Sequence, residues 1–264
     1  MKKYLVVGNP IEHSLSPKLH NYWLINHDIK AIYERKKIEK NELSNLVMDI
    51  KEKRISGANV TVPFKKLIIP FLDKLTEEAS KTQSVNTIYL KNEKIIGHNT
   101  DIDGFEHAIK KINFDFNRKK IFILGAGGVV SSIVFALKKM NVSSIMITNR
   151  TKAKALDIKF LFNDLEVVDW GTIPEFDVII NATSVGLKKN DKINLDLSNI
   201  GNNKLFYDVI YNPPETNFLE IGKKLGNKYE NGKLMFIYQA VSAFNLWHGT
   251  NLIPNIETFK LLDE

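Results

Sequence analysis

Seven polar side chains near the start of the chain are of types that can do chemistry together: Ser14, Ser16, Asn59, Thr61, Lys65, Asn86 and Asp101. Hydroxyls and amides pair with the hydroxyls of a ligand, and a lysine offsets an acid group, so the set suits a small polyhydroxylated carboxylate. Taken singly, each has a plainer use: the serines as turn and cap residues, the asparagines as backbone fasteners, the lysine as a solvated surface charge. A second constellation is Gly125-Ala126-Gly127-Gly128, whose glycines let backbone amides approach a pyrophosphate at a helix N-terminus. Its sixth position is Val130, where a dinucleotide fingerprint has Gly or Ala, which predicts looser packing of helix on strand. At the end of the next strand an acidic residue would hold the ribose 2′-hydroxyl of NAD. Asn149-Arg150-Thr151-Lys152 stands there instead, with Lys154 close behind. A cationic cluster without a carboxylate favours the 2′-phosphate of NADP, with Arg150 giving paired hydrogen bonds and Thr151 adding a hydroxyl while capping the following helix.

Both constellations need strands that end beside them. Tyr4 to Gly8 reads as a short apolar strand, and Ser16-Pro17 places a capping hydroxyl before a first-turn proline, opening a helix to about Asn26. Ala31 to Lys36 reads as a second strand. Leu43, Leu46, Val47 and Ile50 recur at helical spacing behind an Asn41 cap. Gly57 to Val62 is strand-like, and Pro63 starts a turn or helix that carries Phe64 and Lys65 outward. Val85 to Leu90 and Glu93 to Gly97 flank the turn signal Lys91-Asn92 and predict a hairpin. A helix from Ile102 to about Ile112 bridges to a second block. There a strand at 119–124, the glycine turn, an apolar helix from Val129 to Met140 and a strand from Ser144 to Thr148 make a βαβ unit. Val178 to Ile180 and Leu205 to Tyr207 supply further buried strands, and Lys233 to Trp247 reads as a C-terminal helix. The expected fold is therefore α/β, with two domains facing a cleft.

The 264 residues are 44% hydrophobic and 25% charged, which permits a sizeable core and excludes disordered or fibrous classes. The net charge of +7 is spread among acidic residues, so it reads as surface charge rather than a nucleic-acid interface, and it suits a small anionic substrate or phosphorylated cofactor. The absence of cysteine excludes disulfides, thiol nucleophiles and thiolate metal sites and fits a cytoplasmic protein. No stretch approaches the roughly 18 apolar residues of a membrane span, and the six histidines lack ligand spacing, so neither membrane nor metal is expected.

His13-Ser14-Leu15-Ser16-Pro17, Gly57 to Lys65, Val85-Asn86-Thr87, Asn99-Thr100-Asp101, Gly125 to Gly128, Asn149-Arg150-Thr151, Asn181-Ala182-Thr183 and Gln239-Ala240 together resemble the shikimate dehydrogenase family, in order and spacing across nearly the whole chain. The resemblance implies an N-terminal substrate domain at 1–101 joined by helices at 238–264, and a Rossmann-like NADP domain at 102–237. It implies NADPH-dependent reduction of 3-dehydroshikimate to shikimate, with Lys65 and Asp101 as the catalytic pair and Ser14, Ser16, Thr61, Asn86, Tyr211 and Gln239 around the substrate. Lys65 would donate and accept the proton, and Asp101 would orient it. Gly125, Ala126, Gly127, Gly128 and Val129 would lie under the pyrophosphate, Asn149, Arg150, Thr151, Lys152 and Lys154 around the adenosine phosphate, and Glu77, Val209 and Gly232 at further cofactor positions. The chain departs from the family pattern at Val129, Val130, Ser131, Lys154, Val209 and Leu234. A dehydrogenase of mixed quinate and shikimate specificity is the near alternative, and a non-catalytic shikimate-sensing regulator the distant one. The family permits a monomer or a homodimer.

Overall fold

The computed structural model describes residues 1–188 and 190–263. The chain divides into two compact units, one formed by Met1–Gly104 with the segment from Ile237 onward, the other by Phe105–Phe236.

The first unit is built on a mixed six-stranded sheet in the order β2-β1-β3-β5-β6-β4. Its strands are β1 (Lys2–Gly8), β2 (Ala31–Lys37), β3 (Gly57–Val60), β4 (Lys74–Leu75), β5 (Thr87–Lys91) and β6 (Lys94–His98). β1 runs parallel to β2 and β3, while β5 is antiparallel to both β3 and β6. Side chains alternate across a strand, and here the alternation sorts chemistry. Leu5, Val7, Ala58, Val60 and Ile88 pack with Leu43, Leu46, Val47 and Ile50 of helix α2 (Leu43–Lys51) in one apolar cluster. Tyr4, Tyr33, Asn59 and Thr87 occupy alternate positions in register on the other face. Helix α1 (Ser16–Asn26) brings His20 and Trp23 to the aromatic rings of that second layer, where His20 stacks flat on Tyr33 at 4.1 Å. The C-terminal helix α8 (Lys233–His248) adds Phe244 and Trp247. Gly57 has no Cβ because one would lie 2.6 Å from the Trp247 indole nitrogen.

Several local expectations need correction. Ser16 is the first helical residue rather than the cap, and Ser14 Oγ accepts from the Ser16 amide instead. Asn41 caps nothing: Glu39 and Glu42 form a capping box around a short 3-10 turn that leads into α2. Phe64 and Lys65 do not point outward. Phe64 is buried in the apolar cluster, worth about 1.5–3 kcal/mol, and this anchor turns Lys65 inward. The bridging helix starts before Ile102, so that Asp101 lies in the first turn of helix α4 (Thr100–Lys111). Helix α3 (Glu77–Thr82), capped by Thr76, lies where no helix is expected from the sequence. The hairpin turn is Asn92-Glu93, both at positive φ.

The second unit carries a parallel six-stranded sheet in the order β12-β11-β10-β7-β8-β9: β7 (Lys120–Leu124), β8 (Ser144–Thr148), β9 (Glu166–Val167), β10 (Val178–Asn181), β11 (Leu205–Asp208) and β12 (Lys228–Glu230). That is the doubly wound dinucleotide-binding order, with its switch point between β7 and β10. β7, β8, β10 and β11 are buried on both faces and read as nearly continuous apolar runs, as parallel strands do. Helices α5 (Val130–Lys138), α6 (Lys152–Leu161) and α7 (Asn217–Lys224) connect them. A short helix, α9 (Ile256–Lys260), ends the first unit. Helices α4 and α8 each run without a break across the boundary between units. Among the described residues no helix is long and apolar enough to cross a membrane.

Burial without compensation makes the first unit sensitive to acid. His20 Nε2 has no hydrogen-bond partner among the described residues, and burial depresses the pKa of His20 to about 3. Burial beside Lys2 depresses that of His248 to about 4. An unfolded histidine takes up a proton near pH 6.5. Between that pH and the folded values the unfolded chain therefore binds more protons, and stability falls as pH falls. The thermal midpoint is expected to drop on acidification from pH 7 to pH 5, with a shallower slope in His20→Phe, as differential scanning calorimetry will show.

Candidate functional site

In the first unit the carboxyl ends of β1 and β3 lie side by side, which puts their following loops together. The Thr61 amide donates to Val7 and the Asn9 amide to Val62. Gly8 permits this approach, because a Cβ there would meet the Thr61 methyl at 2.6 Å. One loop carries Ser14 and Ser16, the other Thr61 and Lys65. The Ser14 hydroxyl donates to Ser16 Oγ at 3.3 Å. The Lys65 carbonyl accepts from the Val85 amide at 2.9 Å, clipping this loop to the residue before Asn86.

Asn86 is the centre of the site. It is 3% exposed, and its Nδ2 donates to Asp101 Oδ1 and to Thr100 Oγ1, both at 2.9 Å. Its Oδ1 accepts from the Thr100 amide at 2.7 Å and from Thr87 Oγ1 at 3.0 Å. The amide of Asp101 donates to Asn99 Oδ1, so side chains satisfy two first-turn amides of α4, where a carboxylate is also favoured by the helix dipole. The other oxygen of Asp101 accepts from Lys65 Nζ at 2.5 Å. The side chains of the pair are 12% and 8% exposed, so removing either partner leaves a nearly buried charge uncompensated, at a cost of about 3–5 kcal/mol. Gln239, on α8, brings Oε1 to 3.5 Å from Asn86 Nδ2. Lys65, Asn86, Asp101 and Gln239 thus meet in one hydrogen-bonded cluster of the first unit, with Thr61 in the same loop as Lys65 and the Ser14–Ser16 pair following the neighbouring strand β1.

In the second unit the turn after β7 is shaped by backbone. Gly125 has φ +109°, and a Cβ there would lie 2.8 Å from the Ala182 carbonyl oxygen of the loop after β10. Its amide donates to Thr148 at the end of β8. Gly127 and Gly128 are exposed, and Val129 stands at the N-cap of α5 with no side-chain cap. A helix N-terminus without a side-chain cap is a place where an anion can bind. Val130 is fully buried at the start of α5. Asn149 Nδ2 donates to the Thr151 carbonyl. Thr151 holds the N-cap position of α6, but its hydroxyl makes no capping bond. Arg150 and Lys154 are exposed, whereas Lys152 is paired with Asp169 at 2.6 Å. Exposed cations beside an exposed glycine turn fit a phosphorylated dinucleotide. Val209 and Gly232 face each other so closely that a Cβ on Gly232 would fall 2.1 Å from the Val209 oxygen, and Tyr211 stacks on Phe236 at 4.2 Å.

Two family models cover most of the chain. The shikimate dehydrogenase substrate binding domain matches residues 6–88, and shikimate / quinate 5-dehydrogenase matches residues 106–209. The chain is also 54% identical to a shikimate dehydrogenase (NADP(+)) of Pelagibacter ubique, covering 99% of both. The chain belongs to the shikimate dehydrogenase family. A solved shikimate dehydrogenase of Aquifex aeolicus has a TM-score of 0.91 at 34% identity, over 100% of this chain and 98% of that one. A shikimate 5-dehydrogenase of Thermus thermophilus, solved with NADP(H) and shikimate, has a TM-score of 0.88 at 30% identity, over 98% and 97%.

Within this shikimate dehydrogenase fold, Glu77 begins α3 in the first unit, is exposed, and pairs with Lys81 at 2.5 Å. Other residues escaped the sequence reading. Tyr33 donates from its hydroxyl to Asn59 Oδ1 at 2.7 Å. Asp208, buried at the end of β11, accepts from Asn181 Nδ2, the Ile210 amide and Thr216 Oγ1. Burial raises its pKa to about 6 against these bonds. Neither carries a local signal: Tyr33 meets Asn59 only through the sheet register, and Asp208 ends a strand buried on both faces. Gly125→Ala is expected to strain the backbone by about 1–3 kcal/mol, and so to weaken NADPH binding about tenfold, measured by quenching of protein fluorescence. Unchanged affinity would show that the turn tolerates a side chain.

Proposed function

We propose that the protein is a shikimate dehydrogenase that reduces 3-dehydroshikimate to shikimate, reversibly, with NADPH. The observation that carries the reading is the Lys65–Asp101 pair, held by Asn86 in the same unit as Ser14, Ser16 and Thr61. Hydroxyls, amides and one ammonium suit a hydroxylated ring acid, and the ammonium is a proton source beside a ketone. The NADP site fits Gly125 to Val129 under the pyrophosphate and Arg150, Lys154, Asn149 and Thr151 around the 2′-phosphate, with Lys152 entering only by leaving Asp169. Val209 and Gly232 would complete it, and Glu77 would have to leave Lys81 to contribute. When bound, NADPH supplies the hydride for the carbonyl carbon.

The residues of the chain do the rest. Lys65 places an N–H donor at the carbonyl oxygen, stabilises the negative charge that develops there and delivers the proton that makes the hydroxyl. In the reverse direction its neutral amine takes that proton back. Asp101, fixed by Asn86, holds the Lys65 side chain in one orientation and offers an acceptor to a ring hydroxyl. Ser14 and Ser16 would bind the carboxylate, and Thr61, Asn86, Gln239 and Tyr211 the remaining groups. The cysteine-free chain suits a reducing compartment, and the proposal extends to a cytoplasmic enzyme and to a homodimer.

Nicotinamide absorbance, with shikimate and quinate crossed against NADP and NAD, tests the reading. NADP reduction with shikimate is expected, and equal turnover of quinate would move the protein to the broader specificity. Binding of shikimate without turnover would favour the sensor. In the same assay Lys65→Ala should lower kcat by about a hundredfold to ten-thousandfold with a smaller change in KM, and full turnover would remove Lys65 from the mechanism. Arg150→Ala should raise the KM for NADP by about tenfold to a hundredfold, the worth of hydrogen bonds to a charged group, and leave that for NAD unchanged.

A further inference from the structure

The catalytic pair is the end of a longer chain of hydrogen bonds that starts in the aromatic layer beneath it. Tyr33 is buried, and its hydroxyl donates to Asn59 Oδ1 at 2.7 Å. Asn59 Nδ2 then donates to the Asn86 carbonyl and to Thr87 Oγ1, each at 3.0 Å. Thr87 Oγ1 donates to Asn86 Oδ1 at 3.0 Å, and Asn86 Nδ2 to Asp101 Oδ1 at 2.9 Å. Every link has one direction. An asparagine whose oxygen takes the phenol proton must turn its NH2 to the next residue, and so on until the carboxylate, which can only accept. Burial keeps the phenol protonated, so that the first donor is always present.

We propose that Tyr33 is a positioning residue for the reaction: its hydroxyl sets the orientation of the Asn59 amide and, through Thr87 and Asn86, the carboxylate that aims Lys65. Tyr33 touches neither substrate nor cofactor and acts only through this chain. Loss of the hydroxyl leaves Asn59 Oδ1 without its donor in a buried place and loosens the amide, and with it Thr87, Asn86 and Asp101. His20, stacked on the Tyr33 ring, fixes the ring plane and so the direction of the hydroxyl.

The inference rests on the activity proposed above, and the experiment separates the two. The full chain is assayed first with shikimate and NADP, where absence of turnover defeats the activity and leaves nothing for Tyr33 to position. Given turnover, Tyr33→Phe is compared with Thr87→Val, which keeps volume and removes the next link, and with Val47→Ala, which loosens the opposite apolar cluster. Tyr33→Phe and Thr87→Val are expected to lower kcat with shikimate by about tenfold and to leave the KM for NADP within twofold. Val47→Ala should lower the thermal midpoint with kcat unchanged. If Tyr33→Phe does not fold, Thr87→Val alone decides. Wild-type kcat in whichever of the two folds, or a kcat loss in Val47→Ala matching theirs, would overturn the proposal and reduce the chain to a structural network.

Discussion

The first unit depends on one carboxamide. Asn86 has to give its two N–H groups to Thr100 and Asp101 while its oxygen takes the Thr100 amide and Thr87, and no other side chain of its size offers two N–H donors beside an acceptor oxygen. These bonds fix where β5 begins and where α4 begins, since both elements start within reach of the same group. An aspartate there would set a second carboxylate against Asp101, and a leucine would remove four hydrogen bonds, each worth about 0.5–1.5 kcal/mol. The orientation of Lys65 follows from this, because the oxygen of Asp101 left over by Asn86 is the one that meets the ammonium.

The second unit is organised by a different rule. Its glycine turn gains shape from what side chains would obstruct, with the backbone after β7 and the backbone after β10 in van der Waals contact at Gly125 and Ala182. Behind that turn, Asn181 and Asp208 repeat the logic of the first unit: an amide and a carboxylate, both buried at strand ends, tie the loops after β10 and β11 to Thr183, Val185, Ile210 and Thr216. The first unit thus gathers polar side chains, and the second shapes its turn by main chain on a polar foundation.

Much of this was legible in the residues. The strands at the two sheet centres, the helix behind Ser16 and the glycine turn follow from apolar runs, capping and punctuation, all local signals. The motifs around Lys65, Asn86 and Asp101 drew attention to that cluster through family resemblance. What was hidden was long-range. Phe64 and Lys65 look like an exposed turn until the apolar cluster that receives Phe64 is assembled from α2 and four strands. Asn41 looks like a cap, yet the reciprocal pair Glu39 and Glu42 takes that place. Tyr33 looks like one more aromatic of a charged edge strand, and its partner Asn59 is two strands away in a register no local pattern specifies. Lys152 reads as free until its neighbour Asp169 is folded beside it.

The passage of α4 and α8 across the boundary between units bears on how such a protein can be taken apart or recombined. Most two-domain chains change domain in a loop, where a cut exposes two termini and little else. Here a cut at either crossing falls inside a helix and strips up to four backbone donors or acceptors of their partners on each side of the break. The α4 crossing also lies three residues beyond Asp101, so a break there would fray the turn that holds the carboxylate. Neither half is a portable module, and exchange of a cofactor unit between relatives has to carry its junctions at loops such as those before Thr100 or after His248, leaving both helices whole.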